Sequence, residues 1–128
     1  MEIQRIIIAP SYKKENGLWV LHIDTSLLPS EFNLVEQSLV SIPPQEVGGN
    51  HKHPRQEAFI ATNKDLVLYW LDKKGKHEET MLISDNLTIF IMPPYLPHAV
   101  FNKSTISNAL LYEFADDKQH NVETIKII

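Results

Sequence analysis

The chain has 128 residues, of which 43% are hydrophobic and 22% charged, a balance that fits one soluble globular domain with its own core and excludes a disordered chain. Its formal charge is -4, and the lysines are scattered apart from Lys73, Lys74 and Lys76, which read as a solvated turn around Gly75. That distribution offers no basic stripe for a nucleic-acid backbone, so no nucleic-acid partner is expected.

The N-terminus lacks the basic-then-apolar pattern of a secretory signal, and no apolar run reaches the length of a membrane span, so the expectation is a cytoplasmic protein with no membrane partner. Ile3, Ile6, Ile7 and Ile8 begin a β-branched run that stops at Ala9-Pro10 and reads as an edge strand or a strand lent to a partner subunit. Asn16-Gly17 signals a tight turn, and Leu18 to Ile23 follows as a strand carrying His22, which has no second ligand at a useful spacing. Leu27 to Glu31 reads as a loop and Phe32 to Ile42 as a strand ended by Pro43-Pro44. Gln45 to Asn50 is a short connection whose Gly48-Gly49 pair permits backbone conformations closed to other residues.

Further strands are predicted at Glu57 to Thr62, Leu66 to Leu71, Glu78 to Ile83 and Leu87 to Met92, with turns at Asn63-Lys64-Asp65, Asp72 to Gly75 and Ser84-Asp85-Asn86. Pro93-Pro94-Tyr95-Leu96-Pro97 is too rich in proline to pair and reads as a shaped loop. His98 to Asn102, Ala109 to Ala115 and Val122 to Ile128 complete the set. Many short strands, frequent turn signals and no sustained helical period predict an all-β sandwich or barrel, in one domain over residues 1–128.

Chemistry is concentrated in Gly48 to Glu57. With no cysteine in the chain, any metal must be held by nitrogen and oxygen. His51 and His53 stand two apart, so on a strand both imidazoles leave the same face, and Glu57 adds a carboxylate just beyond. His98, between two strand-like runs, is placed where a closed barrel can bring it to the same spot. Three histidines and a glutamate suit Fe, Mn, Ni, Co, Cu or Zn as a divalent ion with positions left open for a ligand. The bland alternative is a polar, hydrogen-bonded plug in a barrel without metal.

These residues resemble the cupins. His51-x-His53-x3-Glu57 resembles the first cupin motif and Pro93-x-Tyr95-x2-His98-x3-Asn102 the second; with the strand pattern, the resemblance covers most of the chain. It implies a double-stranded β-helix (jelly-roll) barrel with metal ligands at His51, His53, Glu57 and His98. The sequence departs from the family at glycine positions, which fall on Gln45, Lys64, Leu87 and Tyr95; Asn63 is the residue beside Lys64 best able to take a positive φ.

Three neighbours are candidates for substrate binding. Arg55 either points inward to bind an anionic group or turns away into solvent or an ion pair. Tyr95 either lines the mouth with its hydroxyl or packs over the proline loop. Either Tyr112 or Glu113 faces inward, according to register. His77 and His120 lie in polar stretches and read as solvated.

The function expected is a small metalloenzyme acting on an oxygen-rich small molecule, a sugar derivative or keto acid, by isomerase, epimerase or dioxygenase chemistry. The alternative is a non-catalytic module that binds or senses a small ligand. The apolar ends Ile3 to Ile8 and Ile125 to Ile128 need cover, which predicts a homodimer.

Overall fold

The structure, a computed structural model, describes residues 2–83 and 86–128. Its strands are β1 (Gln4–Ile8), β2 (Tyr12–Lys13), β3 (Trp19–Val20), β4 (Glu36–Ile42), β5 (Val47–Lys52), β6 (Glu57–Ala61), β7 (Leu66–Asp72), β8 (Gly75–Thr80), β9 (Leu87–Met92), β10 (His98–Asn102), β11 (Ala109–Ala115) and β12 (Glu123–Thr124). One 3₁₀ turn at Thr25–Leu27 is capped by the Asp24 side chain, which accepts from the Ser26 N–H at 2.9 Å. No helix among the described residues is long and apolar enough to cross a membrane.

Two antiparallel five-stranded sheets, ordered β1-β9-β6-β11-β4 and β12-β5-β10-β7-β8, face one another as a jelly-roll barrel, with β2-β3 as a separate ribbon. Strands adjacent in sequence often lie in different sheets, so β10 comes to lie between β5 and β7. All five residues of β6 are buried, as are five of the six in β9, so these strands read as continuous apolar runs rather than alternating ones. β4, at a sheet edge, alternates instead. Leu28 and Phe32, from the segment before β4, are buried in the same core cluster.

Several boundaries differ from the sequence reading, each for a local reason. Leu18 to Ile23 pairs only at Trp19–Val20, because the His22 N–H is satisfied by the Ser11 hydroxyl, which accepts at 3.1 Å. At the other end, strand pairing stops at Thr124 and Asn50 takes over: its carbonyl accepts from the Ile125 N–H, its Oδ1 accepts from the Ile127 N–H at 2.9 Å, and its amide donates to the Ile128 carbonyl at 3.0 Å. The strand expected at Glu78 to Ile83 begins earlier and ends at Thr80. The turn expected at Ser84-Asp85-Asn86 lies outside the described residues except for Asn86.

The largest difference concerns Gln45 to Asn50, most of which is strand rather than connection. His51 lies opposite His98 and Gly49 opposite Ala99, so Asn50 is one residue too many: a β-bulge. Gly49 (φ 105°) and Asn50 (φ 62°) supply the left-handed backbone. A Cβ on Gly49 would sit 3.0 Å from the His98 carbonyl oxygen and 3.2 Å from the Ala99 Cα, so glycine here is what lets β5 approach β10. Two of the departures from cupin glycines also resolve: Gln45 (φ 61°) and Tyr95 (φ 65°) adopt the left-handed backbone that glycine would supply. Asn63 does not, and its Oδ1 instead accepts from the Asp65 N–H at 3.1 Å.

Candidate metal centre

The bulge aims His51 inward from β5, His53 stands in the turn that follows, Glu57 opens β6 and His98 opens β10. Their ligand atoms all lie within 4.8 Å of one another, and His53, Glu57 and His98 are each 2% exposed. The three imidazole centroids form a nearly equilateral triangle with sides of 4.9, 4.9 and 5.0 Å.

Backbone carbonyls orient two of the rings. The Leu96 carbonyl lies 2.9 Å from His98 Nδ1 and the Arg55 carbonyl 3.1 Å from His53 Nδ1; a carbonyl only accepts, so in both rings Nδ1 carries the proton. The other nitrogens point at Glu57 Oε1, His53 Nε2 at 2.9 Å and His98 Nε2 at 3.1 Å. The second contact has the distance of a hydrogen bond but not its direction, and His98 Nε2 is left buried with no hydrogen-bond partner. Two Nε2 lone pairs aimed at one carboxylate oxygen repel unless a proton or a cation lies between them. This donor set, with carbonyls fixing the outer nitrogens, has the chemistry of a divalent transition-metal site.

The other oxygen of Glu57 belongs to Arg55. Oε2 accepts from Arg55 Nε at 2.9 Å and from Nη2 at 2.7 Å. Arg55 Nη1 donates to Glu36 Oε1 at 3.2 Å and to the Asp117 carbonyl at 3.1 Å, and Nη2 also donates to Glu113 Oε1 at 3.0 Å. All five guanidinium donors are thus used within the protein, which corrects the reading of Arg55 as a substrate-binding residue and supports its ion-pair alternative. Its place is to hold the carboxylate whose far oxygen faces the histidines.

Tyr95 and Tyr112 are not brought into the cavity either. Tyr95 is 59% exposed beside Leu71 and the prolines of its own loop; its contribution is the backbone N–H, which donates to the His53 carbonyl at 2.8 Å and ties that loop to the first motif. Tyr112 faces away from the cavity, packs against Phe114 and donates its hydroxyl to Gln37 Oε1 at 2.9 Å. Alternation then turns Glu113 inward. Outside the cluster, His77 is not simply solvated: it bonds Asp72 at 2.8 Å and stacks on Trp70.

A cavity of about 210 Å³ adjoins the cluster, with His51, Glu57, His98, Glu113 and Gln119 as its polar lining. The sequence offered no signal for Gln119, which lies in the polar tail. Burial, then repulsion from His98 and His53, pushes the His51 imidazole down to about 4. Burial opposes ionisation of Glu57, but its contacts with His53, His98 and Glu113 hold it well below the usual carboxylate range. Burial, the hydrogen bond with Glu57 and the charge of that neighbour push the Glu113 carboxyl up to about 8.

These shifts act on stability with opposite signs. Glu113 keeps its proton in the fold while the unfolded chain loses it, so stability falls as pH rises from 4.5 to about 8. His51 refuses a proton that the unfolded chain takes up, so stability falls as pH drops from 6.5 to about 4, and Glu57 adds to the acid loss. Chelator-treated protein is therefore expected to melt highest between pH 4.5 and 6.5, as followed by calorimetry across pH. Glu113→Gln should remove the alkaline limb; a variant that kept it would assign that limb to another group.

A jelly-roll barrel with three histidines and a glutamate converging from β5, the turn that follows it, β6 and β10 gives this chain the cupin fold. No protein-family model matches the chain, and no curated protein matches its sequence. Among solved structures it is similar to a dTDP sugar isomerase from Desulfovibrio desulfuricans, at 17% identity and a TM-score of 0.74, covering 95% of this chain and 83% of that one. It is also similar to the 3,4-ketoisomerase QdtA from Thermoanaerobacterium thermosaccharolyticum, solved with TDP-4-keto-6-deoxyglucose, at 11% identity and a TM-score of 0.71, covering 91% and 83%. A third likeness is to the capsular polysaccharide assembling protein CapF from Staphylococcus aureus, at 16% identity and a TM-score of 0.64; it covers 74% of this chain but only 28% of CapF.

Proposed function

We propose that this chain is a small metal-dependent isomerase or epimerase that shifts a proton next to the carbonyl of an oxygen-rich small molecule, a sugar derivative or keto acid. The observation that carries the reading is the convergence of His51, His53, Glu57 and His98 beside a cavity that also holds Glu113. The four residues would hold one divalent transition metal, which supplies Lewis-acid polarisation of a substrate carbonyl. Arg55 keeps Glu57 ionised and aimed at the histidines, while the carbonyls of Leu96 and Arg55 keep Nε2 of His98 and His53 facing the centre.

Glu113 is the group placed to handle the proton. Its carboxyl is pushed up to about 8, so both forms are present near neutrality, and Arg55 fixes its Oε1 at 3.0 Å: the ionised form takes the proton from the carbon beside the carbonyl and, once protonated, returns it to the isomerised product. Isomerisation is preferred to oxygen-dependent cleavage because such an acid serves proton transfer, and because two of the similar folds belong to proteins described as sugar isomerases or ketoisomerases. The proposed working form is a cytoplasmic homodimer, since β1 is an unpaired sheet edge on which Ile7 is 72% exposed.

The test is elemental analysis of protein purified without chelator, followed by incubation with keto sugars and keto acids in D₂O. The expected result is close to one divalent metal per chain and deuterium uptake beside the carbonyl without oxygen consumption. Oxygen uptake matching substrate loss would make the protein an oxygenase. Ligand-induced thermal stabilisation without exchange or turnover would make it a binding module.

A further inference from the structure

The cavity beside the cluster has His51, Glu57, His98, Glu113 and Gln119 as its polar side chains, and the rest of its lining is apolar side chains with Gly48 and Gly49. Val40 and Leu111, register partners on β4 and β11, line it together with Ile42, Phe59 and Val100. Ile42, Phe59, Val100 and Leu111 are each no more than 3% exposed, and none of the five side chains can donate or accept a hydrogen bond. At about 210 Å³ the space falls below the ~300–1,000 Å³ of pockets that enclose drug-sized ligands. Among the described residues its lining includes no lysine or arginine, and the adjacent Arg55 has no donor left.

A molecule filling this space meets those polar groups and, over the rest of the lining, hydrocarbon. Hydroxyl groups laid against the apolar wall would lose water and gain no partner, whereas methylene groups there gain by leaving water. A phosphate would face the carboxyl groups of Glu57 and Glu113 with no cationic side chain to receive it.

We infer that the substrate is a short alkyl-chain 2-oxo acid, whose two adjacent oxygens would be offered to a metal held by His51, His53, Glu57 and His98 while its alkyl body lies against Val40, Ile42, Phe59, Val100 and Leu111. The inference rests on the metal-centre reading proposed above and narrows it from sugar derivatives and keto acids to the apolar members of the second class. Glu113 then stands in the same cavity as the carbon next to the ketone. The proton it would move is one from that carbon, and the rest of the chain remains unchanged in the reaction.

The test uses the 128-residue chain loaded with Ni(II), with metal content measured first and ligand binding then followed by titration calorimetry. Across pyruvate, 2-oxobutyrate and 2-oxovalerate, Kd is expected to fall about fourfold per added CH₂, equivalent to about 0.8 kcal/mol each. Hydroxypyruvate, which places a hydroxyl where 2-oxobutyrate has its methyl, should bind more weakly than 2-oxobutyrate. Val40→Thr, at a half-buried position, should flatten the series while metal content and melting temperature stay unchanged. With Leu111→Thr the same flattening should appear in whatever fraction loads metal. A constant Kd along the series, or tighter binding of hydroxypyruvate, in protein that holds its metal would overturn the substrate assignment alone. Protein that takes up no metal would overturn the metal centre and the substrate assignment together.

Discussion

Replacing Arg55 by methionine is expected to lower the free energy of unfolding by about 3–5 kcal/mol, the usual cost of removing one partner from a buried ion pair. The guanidinium is 5% exposed and bridges Glu57, Glu113 and Glu36, whose side chains are 2%, 15% and 39% exposed. Methionine keeps much of the volume of the stem but leaves the Glu57 and Glu113 carboxyls together with no cation. Glu113 can relieve part of the repulsion by staying protonated, so the loss should grow as pH rises through about 8. Urea denaturation at several pH values measures this, and a loss below about 1 kcal/mol would place the pair in the class of exposed ion pairs. Arg55→Lys should rescue little. One ammonium on a flexible stem cannot reproduce five donors in a fixed fork.

The second large effect is expected at His98. His98→Ala should reduce metal affinity by more than about 100-fold, since loss of an outer hydrogen-bond partner alone typically costs about 10–100-fold. His98 is the candidate ligand from β10, while His51, His53 and Glu57 all come from one continuous stretch across β5, the turn and β6. A metal held by all four would tie that stretch to the neighbouring strand, and the protein would gain about 2.7 kcal/mol at a free metal concentration 100 times Kd. Chelator should therefore lower the melting temperature of the wild-type chain and leave that of His98→Ala almost unchanged. Full metal content in the variant, by elemental analysis, would place the ligands elsewhere.

Both effects depend on positions that differ in how readily they can be read along the chain. The His51 and His53 pair, Glu57 and the proline loop before His98 are visible as residue types at fixed spacings. Strand runs such as Leu66 to Leu71 and Leu87 to Met92 are visible because they are long and apolar between turn residues. The bulge is not visible in this way. Gly48-Gly49 marks freedom of the backbone, but only the pairing of β5 with β10 shows that Asn50 is the extra residue and that the freedom is spent on re-aiming His51.

What the sequence by itself determined is the class of architecture and the identity of the four residues that converge, because alternation, turn chemistry and ligand type are local properties. Tertiary structure alone decided what surrounds them. Whether Tyr112 or Glu113 faces the cavity depends on a register in which a slip of one residue exchanges the two faces. Arg55 became a support for Glu57 rather than a contact for substrate because Glu36 and Glu113 arrive from strands far away in sequence. Tyr95 turned outward because the loop takes a positive φ there and uses the backbone N–H to hold His53. Each of these outcomes is a contact between distant segments, and such contacts form only when the two sheets close on one another.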